Sequence, residues 1–389
     1  MLATRRQILG GLLGSSGAWL LGCSDDAAPA AVEDPSCADL FARGALLGVL
    51  SFASEATGPL ETPTSAGLDG RLYTDLEKVP LLRTTVDNAR FYIRTRYPDR
   101  LVAPASWLVR FGGLIEAPSA PELGSLLARA RPLGVHLMEC SGNGDFARFG
   151  MLSAAEWGGL PLTELLRDRV KALPGGTRVR VSGFDDHSLP SARSTAGASW
   201  VFTFAELAET GAFLATTMNG APLPPDHGAP VRLVVPGWYG CTCIKWVDAI
   251  DVVGEDEPAT SQMVEFAGRT MQEGTPVLAR DYRPAAIDQA AMPVRVERWS
   301  VDGAVVHRIV GLMWGGARPT DTLAIRIGEA PPERVAVCPA QTTNATWTWW
   351  SHRWRPPGPG TFAMRMLIED RTIRTRRLDA GFYARSIAV

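Results

Sequence analysis

The chain has 389 residues, 46% of them hydrophobic, with 39 Lys and Arg against 41 Asp and Glu for a net charge of -2. That length and apolar content suit a large core divided over two domains. The charge balance argues against a nucleic-acid-binding surface, and 12 Trp with 29 Pro argue against a disordered chain.

The first element in chain order is a targeting segment. Thr4-Arg5-Arg6-Gln7-Ile8-Leu9 has the twin-arginine form, and an apolar stretch from Ile8 to Gly22 follows it. The stretch is too short and too Gly-rich for a good membrane span. Leu20-Leu21-Gly22-Cys23 resembles a bacterial lipobox, whose Cys is lipidated; the plainer reading is a signal peptide with a chance Cys. Loss of residues 1–22 removes Arg5 and Arg6, leaving 37 basic against 41 acidic side chains, or -4. Twin-arginine export carries folded proteins, which suits a cofactor inserted beforehand. Residues 23–40 read as a solvated tether.

A first domain is expected over 41–253. Its strand candidates are Ala89–Arg96, Leu108–Phe111, Val135–Met138, Thr177–Ser182 and Val231–Val235. Helical periodicity marks Leu123–Ala130, Leu162–Val170 and a short Phe204–Thr210. There is no regular βαβ alternation and no G-x-G-x-x-G turn, which argues against a dinucleotide fold. Gly254-Glu255-Asp256-Glu257-Pro258 is the linker candidate. Over 254–389 short strands recur between Gly, Pro and Asp turns: Val294–Trp299, Val305–Met313, Leu323–Ile327, Thr346–Trp350 and Thr361–Ile368. That spacing predicts a β-sandwich, so the fold class is α+β.

Beyond Cys23 there are Cys37, Cys140, Cys241, Cys243 and Cys338. Their odd number and scattered spacing argue against a disulfide framework. Cys241 and Cys243 are too close for a relaxed bridge.

Four segments of the first domain carry candidate chemistry. In an extended Asn88–Pro98, Tyr92, Arg94 and Arg96 share one face, and paired guanidinium groups suit an oxyanion; a solvated cationic face is the plainer account. Cys140 sits between a strand and the Gly-rich turn Ser141-Gly142-Asn143-Gly144. It is a soft metal ligand, a nucleophile or a buried packing residue. Asp185-Asp186-His187 ends a strand with two carboxylates and an imidazole, suited to a metal, to acid–base work or to an Asx-type turn. His227, Arg232 and Lys245 have the chemistry to converge on one anion such as a phosphate, or are unrelated surface charges.

The order of these segments resembles the sulfite oxidase family of molybdenum enzymes. The carrying pieces are Asn88…Phe91-Tyr92-Ile93-Arg94, Glu139-Cys140-Ser141-Gly142-Asn143, Trp157-x-Gly159-Leu160-Pro161-Leu162, Gly183-Phe184-Asp185…Ser188-Leu189-Pro190, the run Met218–Arg232, and Val235-Pro236-Gly237…Ile244-Lys245-Trp246. The resemblance implies a mixed α/β molybdopterin domain and a C-terminal immunoglobulin-like dimerisation domain. It also implies a molybdenum-molybdopterin cofactor with Cys140 as the protein's thiolate on the metal. Asp185, His227, Arg232 and Lys245 match cofactor-holding groups, joined by backbone at Thr242, Cys243 and Ile244. Arg94 matches an arginine that holds an oxyanion substrate near the metal.

The chain departs from the family pattern where substrate is handled. Arg96 stands where sulfite-oxidising members have His, and the short Asp186-His187 loop lacks their tyrosine, for which Tyr239 is a spatial candidate. Asp186, His187 and Tyr239 are the expected proton movers. The expected reaction is oxygen-atom transfer, most simply oxidation of sulfite or a related sulfur oxyanion, with electrons passed to a separate carrier such as a cytochrome. The same cofactor run reductively on a sulfoxide or N-oxide is the nearest alternative. A Cys140 hydrolase using His136 or His187, and a metal-free binding lipoprotein, are alternatives of other classes.

Overall fold

The computed structural model describes residues 37, 40, 43–53, 55, 58–97, 106–184 and 197–389. The targeting segment, Cys23, and the Asp185, Asp186 and His187 candidates therefore lie outside the described residues. Among those described, no helix is long and apolar enough to cross a membrane.

The strands run β1 (Ala45–Leu50), β2 (Arg110–Gly113), β3 (Arg131–Glu139), β4 (Leu152–Pro161), β5 (Arg178–Gly183), β6 (Ser199–Thr203), β7 (Phe213–Met218), β8 (Ala221–Pro222), β9 (Arg232–Val234) and β10 (Val247–Val253). They continue as β11 (Ala290–Val301), β12 (Ala304–Trp314), β13 (Leu323–Ile327), β14 (Glu333–Arg334), β15 (Ala336–Val337), β16 (Thr348–Trp354), β17 (Thr361–Ile368) and β18 (Arg385–Ala388). Two sheets build the first half: β2-β10-β5-β6, and β3-β4-β7-β8 with β9 also on β7. Two antiparallel sheets build the second, β1-β11-β12-β16-β15 and β14-β13-β17-β18. This is the α+β architecture, a mixed domain followed by a sheet-rich sandwich.

Local chemistry accounts for several elements. Helix Phe204–Glu209 opens on a capping box: Thr203 Oγ1 accepts from Glu206 N at 3.0 Å, and Glu206 Oε2 accepts from Thr203 N at 2.7 Å. Helix Leu162–Arg169 buries Leu162, Leu165 and Leu166, the i, i+3, i+4 stripe. Asp302-Gly303, both at positive φ, make the two-residue turn that pairs Val301 with Ala304 between β11 and β12.

Three expectations are corrected. Residues 89–96 do not form a strand; they are turns with one isolated bridge, Leu72 to Ile93. Its alternating pattern reflects a segment wrapped over a cavity, so no sheet partner satisfies its backbone. Strand β1, inside the expected first domain, instead pairs antiparallel with β11 at the edge of a C-terminal sheet. Cys37 and Cys338 form a disulfide across 301 positions. Such a closure removes conformational freedom from the unfolded chain and typically contributes about 2–4 kcal/mol. Spacing along the chain carries no signal for a bridge that long. The two halves are further joined by Trp347 and Trp349, whose Nε1–H groups both donate to Arg83 O, at 2.9 and 3.0 Å.

Candidate active site

The site forms where β3 ends. Cys140 N donates to Met151 O at 3.0 Å and Asn143 N to Cys140 O at 2.9 Å, so the thiol is held at the lip of a closed turn. Cys140 is 3% exposed and unbridged, and the thiols of Cys241 and Cys243 nearby are also buried and free. A cavity opens over Cys140. Its lining includes Tyr92, Arg94, Cys140, His227, Arg232, Cys241, Cys243 and Lys245. Segments about 150 residues apart thus meet at one thiol.

Two glycines permit this convergence. Gly228, at φ 105°, would place a Cβ 3.0 Å from Arg232 Cβ and 3.1 Å from Lys245 Cβ. A side chain there would push the His227 turn off both cations. Gly240 would place a Cβ 2.5 Å from the Tyr92 hydroxyl, so only hydrogen lets that phenol reach the 240–242 turn.

Arg232 is 4% exposed. Its donors go to neutral acceptors, His227 O, Cys243 O and Met138 Sδ, all at 3.1 Å, and its buried Nε has no partner. Among the described residues no carboxylate bonds it, and burial pulls its pKa below the usual guanidinium value. A charge taken out of water without a counter-ion is costly, so this donor set fits an anionic occupant. Lys245 Nζ donates to Thr95 O and, at 2.8 Å, to Asp226 O, and lies 4.5 Å from the Trp246 ring. Beneath Arg94, the buried Arg71 donates to Leu68 O, Gly70 O and the Arg94 carbonyl. Burial, with Arg94 alongside, lowers the Arg71 pKa to about 10.

His227 adds a neutral ring to this set. Burial, then Lys245 and Arg232, lower its pKa to about 3. Its Nε2 lies 3.0 Å from Asn88 O; a carbonyl only accepts, so Nε2 carries the proton and Nδ1 keeps a lone pair. The unfolded chain, with a His pKa near 6.5, binds the proton more readily than the fold does from about pH 6.5 down to 3. Stability from this group is therefore whole above about pH 6.5 and is lost as pH falls, by at most about 4–5 kcal/mol. Thermal unfolding of cofactor-free protein should show the stability gap between wild type and His227→Gln changing steeply over that window. A gap independent of pH would contradict the buried neutral ring.

The other expected residues divide. Thr242, Cys243 and Ile244 use their N–H groups inside their own turn, on Tyr239 O, Gly240 O and Thr242 O, rather than offering them to the cavity. Tyr239 is buried 4.6 Å from the Arg377 guanidinium and does not line the cavity; burial raises its pKa far above the usual phenol value. Tyr92 lines the cavity in its place, and burial, then Cys140, raise its pKa well above the ordinary value. Arg96 Nε is drawn 3.2 Å from Asp226 Oδ2 and is absent from the lining. His136 lies outside the lining too, with Nε2 2.9 Å from Leu133 O, which leaves the hydrolase pairing with His136 unsupported. Sequence reasoning missed Arg71 and Gln262, whose side chain donates to Cys241 O; neither carries a local pattern.

Among the described residues, no three His, Cys, Asp or Glu side chains group to hold a metal ion alone. A thiol at a strand end, facing the same cavity as anion-binding donors, suits a metal that arrives with an anionic organic ligand.

Comparison with known proteins agrees with this chemistry. Residues 95–261 match the oxidoreductase molybdopterin binding domain. Sulfite oxidase of Gallus gallus is 29% identical over 65% of this chain and 61% of its own length. The mitochondrial sulfite oxidase of Mus musculus is 27% identical over 67% of this chain and 51% of its own. The chain thus spans less than two thirds of these relatives. A nitrate reductase [NADPH] of Neurospora crassa is 43% identical over 26% of this chain and 10% of its own. The sulfane dehydrogenase SoxCD of Paracoccus pantotrophus shares the fold, with a TM-score of 0.60, 19% identity, and coverage of 92% of this chain and 86% of that one.

Proposed function

The chain belongs to the sulfite oxidase family of molybdopterin-dependent oxidoreductases, and from that premise we propose that it is an exported enzyme oxidising sulfite or a related sulfur oxyanion. The observation that carries this reading is the free thiol of Cys140, at the end of β3, in a cavity whose buried cation, Arg232, bonds no carboxylate among the described residues. When bound, a molybdenum-molybdopterin cofactor supplies oxygen-atom transfer and a two-electron change at its metal.

The chain's own groups do the rest. Cys140 supplies the soft ligand. Arg232 and Lys245 hold the anionic part of the cofactor, and neutral His227 offers it an acceptor. Arg94, its carbonyl pinned by Arg71, presents a guanidinium to an oxyanion. Tyr92 stays protonated at working pH, so it donates a hydrogen bond and does not serve as a base. Asp185 is carried over as a cofactor-holding carboxylate, and Asp186 and His187 as the groups that move protons.

The twin-arginine pattern at Arg5 and Arg6 supports export, and Cys23 a lipid tether to a bacterial membrane. A Cys37–Cys338 disulfide fits an oxidising compartment. Electrons leave to a separate carrier such as a cytochrome, and the sandwich is the proposed homodimer surface. The segment alike to nitrate reductase favours keeping one second reading, reduction of an oxide such as a sulfoxide or N-oxide.

Metal and pterin analysis of the folded, exported protein tests the class, and the molybdenum EPR signal on adding sulfite or methionine sulfoxide tests the direction. A preparation with neither molybdenum nor pterin would sink the proposal. A response to the sulfoxide alone would reverse the direction.

A further inference from the structure

Glu139, immediately before Cys140, is completely buried. Its carboxylate accepts from the Tyr383 hydroxyl at 2.7 Å, Trp314 Nε1 at 2.9 Å and Asn143 Nδ2 at 3.3 Å, and Arg377 Nη1 lies 3.6 Å away. Immediately after Cys140, the Ser141 carbonyl accepts from Arg377 Nη2 at 2.7 Å. The same Nη2 reaches Arg269 O at 2.9 Å, and the guanidinium covers the Tyr239 and Phe382 rings at 4.6 and 4.8 Å. Three of these partners, Trp314, Arg377 and Tyr383, come from the C-terminal half. Both neighbours of the thiol are therefore gripped by side chains that do not themselves line the cavity.

We propose that Arg377 and Tyr383 are positioning residues that set the orientation of the Cys140 sulfur from the C-terminal domain, through Glu139 and the Ser141 carbonyl. A fully desolvated ion pair is weak evidence for stability, because a close-packed apolar set often does as well. What it does impose is geometry: a guanidinium forked between the Ser141 carbonyl and the Tyr383 hydroxyl, with that hydroxyl donating to Glu139, allows the flanking peptides one arrangement. Groups that orient a metal's protein ligand typically change affinity or activity by about 10- to 100-fold when altered. The molybdenum readout rests on the function proposed above; the thiol readout does not.

The test uses Tyr383→Phe, which removes one hydroxyl, and Arg377→Lys, which keeps the charge but loses the fork. Arg374→Lys, at a side chain 67% exposed, is the control. Far-ultraviolet circular dichroism confirms folding. In cofactor-free protein, the rate of Cys140 alkylation by iodoacetamide at one fixed pH should rise about tenfold in both variants as the turn loosens, and stay unchanged in the control. In loaded enzyme, the Mo(V) EPR g-values should shift in both. Wild-type alkylation rates and g-values in the two folded variants would overturn the proposal. Wild-type protein without molybdenum would overturn the proposed function instead, and the alkylation rates would then decide the clamp alone.

Discussion

Replacing Cys140 by serine should lower turnover on the order of 1,000-fold while leaving the fold intact. The hydroxyl is not ionised at neutral pH and is a hard ligand, so a bound metal would lose the thiolate proposed for it. A correctly ligated metal is worth several kcal/mol to the reaction, and about 4 kcal/mol is about 1,000-fold. The side chain is nearly isosteric and sits in a turn closed by backbone bonds to Met151 and from Asn143. The stability cost should therefore be about 1 kcal/mol. Turnover with a dye acceptor, pterin content and thermal unfolding measure the three. Activity above a tenth of wild type would show that the thiol is a packing residue.

Arg232→Met should have effects of opposite sign on cofactor binding and on the empty protein. The guanidinium is buried and, among the described residues, is bonded to two carbonyls and a thioether and to no carboxylate. Removing one member of a buried charge pair costs about 2–5 kcal/mol, so cofactor affinity should fall roughly 30- to 4,000-fold. Without the anion the charge is a liability, and an apolar side chain of similar length should leave the cofactor-free protein as stable or more stable. Molybdenum and pterin per chain, set beside melting of cofactor-free protein, test both. Full cofactor loading in the variant, or marked destabilisation of its empty form, would mean that Arg232 serves the core and not an anion.

The strands of the sandwich were legible because their turns are. Leu323–Ile327 and Thr361–Ile368 begin and end where alternation and Gly or Pro punctuation place them. Strand β4 was not read as a strand: seven of its ten residues from Leu152 to Pro161 are buried, on both faces, and a strand covered twice shows no alternation. Residues 89–96 failed in the opposite way. They alternate like a strand, yet Phe91, Tyr92, Ile93 and Arg94 all line the cavity, because the segment turns as it goes.

The sequence by itself determined the chemistry of the site: a thiol before a Gly-rich turn, and His227, Arg232 and Lys245 in an order that one family shares. Residue types and their order survive without coordinates, so Cys140, His227, Arg232, Lys245 and Arg94 could be singled out from the sequence, and they line one cavity. Only the tertiary structure decided which of them work as charges and what steadies them. His227 became neutral because it is buried, with two cations beside it. Tyr239 gave way to Tyr92 because a glycine at 240 admits the second phenol, while the first packs on Arg377. The grip on Glu139 by Trp314, Arg377 and Tyr383 spans up to 244 positions. Protonation, burial and long-range hydrogen bonds depend on what surrounds a side chain in space, and that is not written in its neighbours along the chain.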